Sequence, residues 1–354
     1  MCGIVGYSGP KEPLPILING LSRLEYRGYD SAGIAISDGN KITVEKKEGK
    51  LDVLKNHLKD SNIKGNIGIG HTRWATHGVP NDVNAHPHSD NSEEFAIIHN
   101  GIIENYAEIK KDLLEEGFEF KSDTDTEVVA VELSRKWNGQ LLKTVTDVAK
   151  TLEGTYALVV TTTKEEGTIV AGRLMSPLVL GVGENEVFLA SDSAAILEHT
   201  NKMIFLENGD FVEIKNGQYK LFDSELNEIE REIQEIDWEV SEAEKLGHDH
   251  FMYKEILEQS EVIERTISGR LETTSKEIPI KQDEASKYEK IWIVACGTAY
   301  HAGLFGKDLF EKVLGVPVSV ELASEFRYRE PIVGKNDLGI VISQSGETMD
   351  TIAA

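Results

Sequence analysis

Cys2 is the residue of this chain whose type and position are best suited to covalent chemistry. Removal of Met1 would give Cys2 a free α-amine, whose reference pKa of about 7.7–8.0 leaves an appreciable fraction as free base near neutral pH. That amine could take the proton of the thiol directly or through a water molecule, so one residue would supply both nucleophile and general base. The alternative is a small apolar residue near a terminus, and Cys2 alone leaves both interpretations open.

Cys2 belongs to the first of five motifs that follow one another along the N-terminal part of the chain. The motifs are C-G-I-V-G at 2–6, R-G-Y-D-S-A-G at 27–33, G-H-T-R-W-A-T-H-G at 70–78, N-A-H-P-H at 84–88 and H-N-G-I-I-E-N at 99–105. In this order they resemble the class II glutamine amidotransferases, and the third motif and the spacing resemble the glutaminase part of the glucosamine-6-phosphate synthase family. The resemblance covers roughly the first 220 residues. It implies an N-terminal-nucleophile fold in which Cys2 releases ammonia from glutamine.

The resemblance also implies which groups stabilise the tetrahedral intermediate. The Asn100 side chain and the Gly101 backbone N–H would bind its oxyanion. Loss of one such donor typically raises the barrier by roughly 3 kcal/mol. From the residues alone, Asn-Gly is a strong turn signal, so a plain turn is the competing interpretation.

Arg73 and Asp125 are the candidates for binding the charged ends of glutamine. The planar guanidinium of Arg73 suits the carboxylate of the substrate, and Asp125 would pair with its ammonium. Thr124 and Glu127 form a capping-box pattern, which places Asp125 in the first turn of a helix. Both interpretations of Asp125 can hold together, because a helix start can be capped and still present a carboxylate.

Trp74, Thr76 and His77 match the mobile glutamine loop of the family, which covers the site and helps to exclude water. The resemblance implies that ammonia leaves Cys2 through a channel gated around Trp74. The alternative for Trp74 is an aromatic residue of the core.

Histidines are concentrated around these motifs, so a metal site has to be weighed. They are His71, His77, His86, His88 and His99, with a second pair at His248 and His250. An H-x-H spacing on a strand places two imidazoles on one face, but obvious carboxylate or thiolate partners at ligand spacing are lacking. We therefore predict no metal and no other cofactor, and we expect these histidines to be hydrogen-bonded.

Two polar turns in the second half each lie between an apolar strand and a helix, C-G-T at 296–298 and S-Q-S-G-E-T at 343–348. Helix N-terminal N–H groups together with Ser and Thr hydroxyls can cradle a phosphate. The second turn resembles the sugar-isomerase (SIS) domain. The matching phosphate-binding positions are Thr298, Ser343, Gln344, Ser345 and Thr348.

Ala299 departs from the SIS pattern, because serine is common at that position, and this puts one hydroxyl contact in doubt. The alternative for the whole region is a pair of ordinary polar turns. Cys296 is expected to be a buried thiol at the end of a strand rather than a nucleophile.

The elements that must position the first set of residues are mostly strands. An apolar segment at 4–7 is followed by apolar residues at helical spacing over 14–24, and Asp38-Gly39-Asn40 predicts a hairpin between A-G-I-A-I-S and K-I-T-V-E-K-K-E-G. Further strands are predicted in N-I-G-I-G-H-T-R-W, in E-F-A-I-I-H-N-G-I-I-E-N and between 154 and 221, with helices at 106–116, 124–138 and 141–152. This series predicts a layered, largely antiparallel α+β domain, and the family resemblance implies an αββα sandwich.

The second half has a different pattern. An acid-rich connector from Asp223 leads into a helical segment at 250–271, and after Lys290 the order of apolar strand, polar turn and helix occurs twice. That order is typical of a doubly wound α/β domain with a buried parallel sheet. We predict a glutaminase domain at 2–222, a connector at 223–280 and the first, incomplete part of a SIS domain at 281–354.

The overall charge argues against nucleic acid and membranes as partners. The 354 residues include 37 basic and 61 acidic side chains, which gives a formal charge of -24. Such a surface repels phosphate backbones and anionic lipid, and no apolar stretch approaches the roughly 20 residues of a membrane-spanning helix. Two cysteines do not make a disulfide framework, and a secretory pattern is lacking at the N-terminus, so we expect a cytoplasmic protein.

The resemblance assigns to the complete enzyme the conversion of glutamine and fructose 6-phosphate into glucosamine 6-phosphate and glutamate, in a homodimer when full length. Because the family's sugar-opening residues would lie beyond Ala354, we expect at most glutamine hydrolysis from these residues. The alternatives are another class II amidotransferase, which S-Q-S-G-E-T argues against, and a non-catalytic sugar-phosphate sensor. The intact set of Cys2, Arg73, Asn100 and Asp125 argues against a sensor.

Overall fold

The computed structural model describes residues 2–25, 28, 30–74, 78–236, 248, 250–267, 287–344, 346 and 348–354. They divide into two units, Met1–Gly247 and His248–Ala354.

Most of the secondary-structure elements of the N-terminal unit are short strands. They are β1 (Gly3–Ser8), β2 (Ser31–Ser37), β3 (Ile42–Glu48), β4 (Ile67–Arg73), β5 (His88–Ser89), β6 (Phe95–Ile103), β7 (Gly154–Thr162), β8 (Thr168–Leu174), β9 (Val179–Val182), β10 (Val187–Ala190), β11 (Lys202–Phe205), β12 (Phe211–Lys215), β13 (Gln218–Phe222), β14 (Glu228–Ile229) and β15 (Gln234–Glu235). The helices of this unit are α1 (Pro13–Leu24), α2 (Leu51–Leu58), α3 (Tyr106–Glu115), α4 (Asp125–Arg135) and α5 (Leu141–Ala149).

These strands form two antiparallel sheets that face each other. The first sheet has the order β15-β11-β9-β10-β1-β4-β2-β3, and the second has the order β14-β13-β12-β8-β7-β6-β5. A fully buried apolar layer that includes Ile4 and Ile69 of the first sheet and Ile98 and Ala157 of the second fills the space between them. The strands that contribute to this layer turn one side toward the shared interior, in keeping with the two-residue period of a strand.

Helices cover the outer faces of both sheets. Leu17 of α1 and Leu54 of α2 are buried in a cluster with Ile34 of the first sheet. Val129 of α4 and Val145 of α5 are buried with apolar residues of the second sheet. The unit is thus a four-layer αββα sandwich, which confirms the predicted fold class.

The hairpin predicted at Asp38-Gly39-Asn40 is confirmed, because β2 and β3 pair from Ser37–Ile42 outward. The Asp38 carboxylate accepts hydrogen bonds from the backbone N–H groups of Asn40 and Lys41, both at 2.9 Å. The predicted helices correspond to α1, α3, α4 and α5. Helix α2 was not predicted; it is a short helix that buries only Leu51, Leu54 and Leu58.

Residues after Phe222 continue to pair with the two sheets. Strand β14 adds to β13 in one sheet and β15 adds to β11 in the other. Between them, the Arg231 guanidinium donates two hydrogen bonds to the buried Asp210 carboxylate, at 2.9 and 2.8 Å. The acid-rich segment thus begins with residues that are packed against the N-terminal unit.

The second unit contains a small parallel sheet. Its elements are α6 (Phe251–Ile267), β16 (Lys290–Ala295), α7 (Gly297–Leu314), β17 (Val318–Leu322), α8 (Ala323–Phe326), β18 (Asp337–Ile342) and α9 (Met349–Ala353). The strand order is β17-β16-β18, and both pairings are parallel. The repeated order of strand, turn and helix is therefore confirmed. None of the helices in the described part of the chain is long and apolar enough to span a membrane.

Candidate active site

The first residues of β1 place Cys2 beside the end of β4. These strands are neighbours in the first sheet, with Gly3 opposite Thr72. The Cys2 Sγ accepts a hydrogen bond from the Trp74 backbone N–H at 3.2 Å and lies 3.5 Å from the Trp74 carbonyl oxygen. The thiol is partly exposed, so a substrate can reach it. Sheet pairing alone thus brings the candidate nucleophile to the third motif.

Asn100 and Gly101 approach Cys2 from the opposite sheet. They lie in β6, where they pair with Ala157 and Tyr156 of β7, so the alternative of a plain turn is wrong. The Asn100 Nδ2 group donates to the Cys2 carbonyl oxygen at 3.1 Å. The two sheets therefore meet at this point, one bringing a thiol and the other an amide.

Gly101 has a backbone conformation that only glycine adopts readily. Its φ angle is +130°, and a Cβ at this position would lie 2.0 Å from the Thr155 carbonyl oxygen. A side chain here would force β6 away from β7 or rotate the Gly101 peptide group. The sequence therefore has glycine next to Asn100, where the backbone conformation and the close approach of Thr155 require it.

Arg73 is the last residue of β4, and only 3% of it is exposed. Its Nη2 group donates to the Gly78 carbonyl oxygen at 3.4 Å. Burial lowers the pKa of Arg73, and the negative charges of a Cys2 thiolate, Asp125 and Asp30 oppose this effect. A buried guanidinium interacts with an anionic group in surroundings that screen the charges less than water does.

Asp125 begins α4 and is also buried, with 4% exposed. One carboxylate oxygen accepts from the Ile103 backbone N–H at 2.9 Å, and the other accepts from the Thr126 hydroxyl at 3.4 Å. Because Ile103 is the last residue of β6, this bond ties the helix start to the strand that carries Asn100.

The capping box predicted at this helix start is half correct. The Thr124 hydroxyl accepts from the Glu127 backbone N–H at 3.3 Å, as predicted. The Glu127 carboxylate, however, accepts from the backbone N–H groups of Lys121 and Ser122, at 2.8 and 2.6 Å, and not from Thr124. The residues just before the helix therefore provide the backbone N–H groups that donate to the Glu127 carboxylate.

Four buried histidines form a group next to Asn100 and the start of α4. The sequence predicted hydrogen bonds for them but no role in the site. The His71 and His86 rings stack with centroids 4.2 Å apart, and His86 meets His88 edge-on at 4.8 Å. All four histidines are hydrogen-bonded, as expected. His71 Nε2 lies 3.0 Å from Asn100 Oδ1, and His88 Nε2 lies 3.0 Å from Thr124 Oγ1. His86 Nε2 and His99 Nδ1 lie 2.9 and 3.0 Å from Thr126 Oγ1.

Burial keeps three of these histidines neutral. Desolvation lowers the pKa of His71 to about 3 and lowers the pKa of His86 and of His88 well below the usual value. Within the described residues, no group of three His, Cys, Asp or Glu side chains could hold a metal ion. The signal in the sequence was only the density of histidines, since their partners come from β6 and from the start of α4.

Lys46 is a further residue for which the sequence predicted no role, and it is partly buried. Its ammonium donates to the carbonyl oxygens of Val83, Ala85 and Pro87 at 2.9, 2.8 and 3.2 Å. Burial lowers the pKa of Lys46 to about 8, and the nearby Glu127 carboxylate opposes this effect. Lys46 thus holds the segment that carries His86 against β3.

Trp74 is 47% exposed, so the alternative of a core aromatic is wrong. Thr76 and His77, which were predicted to share its loop, lie outside the described residues.

The residues predicted to bind a phosphate lie in the second unit, at one edge of its sheet. Ala295 of β16 is opposite Ile342 of β18, so the turns that follow these parallel strands are adjacent. Thr298 is in the first turn of α7 and is exposed. The Ser343 and Thr348 hydroxyl oxygens are 3.3 Å apart, and Ser343 also accepts from the Gly346 N–H at 3.0 Å.

The remaining residues of these turns are placed less specifically. Gln344 is exposed, and Ser345 lies outside the described residues. Cys296 precedes α7 and is partly exposed rather than buried, so that expectation is wrong. The structure therefore brings Thr298, Ser343 and Thr348 to one edge.

Comparison with known proteins matches both units. The family described as "Glutamine amidotransferase domain" matches residues 56–251, and the SIS domain family matches residues 285–354. A protein of Clostridium perfringens named glutamine–fructose-6-phosphate aminotransferase [isomerizing] is 50% identical over 357 residues, which cover 100% of this chain and 58% of that protein. A protein of the same name from Aquifex aeolicus is 47% identical over 99% of this chain and 59% of its own length. The chain thus spans about three fifths of the length of these curated relatives.

A solved structure has a similar fold. Glutamine phosphoribosylpyrophosphate amidotransferase of B. subtilis matches with a TM-score of 0.57 and 22% identity, over 98% of this chain and 70% of that one. At that identity the likeness concerns the fold alone.

Proposed function

Because the chain belongs to the glutamine amidotransferase domain family, we propose that its N-terminal unit hydrolyses glutamine with Cys2 as the nucleophile. One arrangement above all supports this activity: a partly exposed thiol at the start of β1 lies against the Trp74 backbone, while the Asn100 amide reaches the same residue from the opposite sheet.

In the first step, the α-amine of processed Cys2 accepts the thiol proton, and Sγ attacks the amide carbon of glutamine. The carbonyl oxygen becomes an oxyanion, which accepts hydrogen bonds from Asn100 Nδ2 and the Gly101 N–H. The C–N bond then breaks, and the leaving nitrogen takes the proton from the α-ammonium and departs as ammonia. A water molecule attacks the resulting thioester, and the α-amine takes a proton from that water. The C–S bond then breaks, the α-ammonium returns the proton to the departing sulfur, and glutamate and the free thiol are released.

Arg73 and Asp125 would orient the substrate for this attack. The guanidinium binds the α-carboxylate and the Asp125 carboxylate binds the α-ammonium. Both side chains are almost fully buried, so each interaction is screened less by water than one on the surface. Trp74, with Thr76 and His77, would cover the bound glutamine and exclude water from the thioester until ammonia has left.

The complete protein would use this ammonia on a sugar phosphate. Because the relatives are named glutamine–fructose-6-phosphate aminotransferase, we propose that it converts fructose 6-phosphate into glucosamine 6-phosphate. Thr298, Ser343, Gln344, Ser345 and Thr348 would bind the phosphate. We further propose a cytoplasmic homodimer that has neither nucleic acid nor a membrane as its partner, in keeping with the charge of -24.

The test is glutamate release from glutamine by the 354-residue chain, together with its intact mass. Protein that has lost Met1 should release glutamate, and Cys2→Ala should abolish release while leaving the thermal unfolding midpoint unchanged. A variant that retains Met1 should also be inactive, because its α-amine is no longer on Cys2. Undiminished glutamate release by Cys2→Ala would refute the assignment.

A further inference from the structure

We propose that His71 is a positioning residue that fixes which end of the Asn100 carboxamide faces Cys2. This inference rests on the proposed glutaminase activity and assigns a role to a residue that does not touch the thiol. An amide has a donor end and an acceptor end of nearly the same shape. Only the donor end can stabilise an oxyanion, so whatever sets the orientation of Asn100 also sets the rate.

Two backbone carbonyl groups fix the orientation, because a carbonyl oxygen can only accept. At one end, Asn100 faces the Cys2 carbonyl oxygen at 3.1 Å, so this end must be the NH₂ group. At the other end, His71 Nε2 lies 3.1 Å from the His99 carbonyl oxygen, so Nε2 must carry a hydrogen. The same Nε2–H lies 3.0 Å from Asn100 Oδ1 and donates to it. Only one assignment of donors and acceptors therefore satisfies all three contacts: His71 Nε2–H donates to Asn100 Oδ1, and Asn100 Nδ2 donates to the Cys2 carbonyl oxygen.

The surroundings of His71 maintain this tautomer. The side chain is fully buried, and its pKa is lowered to about 3, so the ring stays neutral and carries one hydrogen. Nδ1 is buried and has no hydrogen-bond partner among the described residues, which makes it the worse place for that hydrogen. Stacking on His86 at 4.2 Å restricts rotation of the ring. His71 thus presents a permanent donor to Asn100.

The strand geometry explains why a residue of one sheet controls a residue of the other. His71 and Arg73 are two residues apart in β4, so both point toward the same side of the strand. Ile69, on that side as well, belongs to the layer between the sheets. The strand that carries the candidate carboxylate-binding arginine therefore also carries the residue that orients the oxyanion donor.

The experiment compares His71→Met with His71→Gln in the full 354-residue chain. The two side chains have similar length and volume, but only glutamine has an N–H donor near the position of Nε2. We expect His71→Met to lower kcat for glutamate release about tenfold to a hundredfold with KM within about threefold, because the oxyanion exists only after attack. His71→Gln should retain kcat within about fivefold. His199→Met, at a partly buried histidine elsewhere in the unit that stacks on Phe188, controls for the substitution itself.

Alkylation of Cys2 by iodoacetamide provides a second readout, since this reaction forms no oxyanion. Its rate should be the same in the wild type and in His71→Met. In an Asn100→Ala background, His71→Met should lower kcat by less than about twofold, because the group it orients is gone. If His71→Met does not fold, His71→Asn takes its place, since that amide is one methylene too short to reach Asn100.

Several results would overturn the role of His71. They are a kcat for His71→Met within twofold of the wild type, an equal loss in His71→Gln, and an equal loss of the alkylation rate. An inactive wild type with Met1 removed would instead refute the proposed glutaminase activity, so the two failures are distinguishable.

Discussion

Replacement of Asp125 by asparagine should raise KM for glutamine about tenfold to a hundredfold and leave kcat within about threefold. The buried carboxylate is the proposed partner of the substrate ammonium, and a hydrogen bond between charged groups contributes about 1.5–3 kcal/mol. The amide oxygen of asparagine can still accept from the Ile103 N–H, which Asp125 binds at 2.9 Å, so the start of α4 should stay attached to β6. Loss of a negative charge from the first helical turn should cost only about 0.3–1 kcal/mol of stability.

The assay compares glutamine with glutaramate, which has the same carboxamide but lacks the α-amine. The wild type should discriminate strongly between the two substrates in kcat/KM, and Asp125→Asn should lose most of that discrimination. Asp123→Asn removes an exposed carboxylate two residues away and should leave the ratio unchanged. If Asp125→Asn raised KM equally for both substrates, the residue would not bind the ammonium and the reasoning would be refuted.

Three other perturbations test the site. Gly101→Ala should lower kcat at least a hundredfold and lower the thermal unfolding midpoint, because the new Cβ would lie 2.0 Å from the Thr155 carbonyl oxygen. The control is Gly117→Ala. Gly117 also has a positive φ, +92°, but its Cβ would have nothing within 4 Å, so this substitution should lower stability and leave kcat unchanged. Arg73→Lys should raise KM for glutamine about tenfold or more with kcat little changed, since the charge remains but the two-pronged contact is lost; an unchanged KM would contradict its role. Because the pKa of His71 is lowered to about 3, the unfolded chain binds a proton at this residue between pH 6.5 and about 3 and the folded chain does not. The contribution of His71 to the free energy of unfolding is therefore full above pH 6.5 and is lost as the pH falls. His71→Gln should therefore reduce the pH dependence of the unfolding free energy by about 1.4 kcal/mol per pH unit between pH 5.5 and 4, measured by urea denaturation.

The sequence predicted most of the elements that carry the site. Strands β1, β4 and β6 have alternating or continuous apolar residues, and α4 begins at a recognisable capping residue, Thr124. These signals are local, so they can be read without knowing the topology. The family resemblance then supplied the proposed roles of Arg73, Asn100 and Asp125. It also favoured the nucleophile interpretation of Cys2, which the residue alone leaves open.

What could not be predicted depends on residues distant in the chain. The turn composition of Asn100-Gly101 conflicts with the strand predicted across it, and only the pairing with β7 decides in favour of the strand. His71 is 28 positions before its partner His99 and lies in the other sheet, so its role becomes visible only when the sheets are placed face to face. Short α2 and the two-residue strands after Phe222 have too few apolar residues to give a clear period.

The proposed nucleophile immediately precedes a strand of one sheet, its proposed oxyanion donors lie in a strand of the other, and buried apolar side chains fill the space between the sheets. Ile4 and Ile98 are fully buried in that gap, close in sequence to Cys2 and Asn100. An interior substitution that a folding measurement barely registers can therefore shift the sulfur relative to the amide and slow the reaction. We therefore expect the apolar layer between the sheets to tolerate fewer substitutions when the proposed glutamine hydrolysis is measured than when folding is measured.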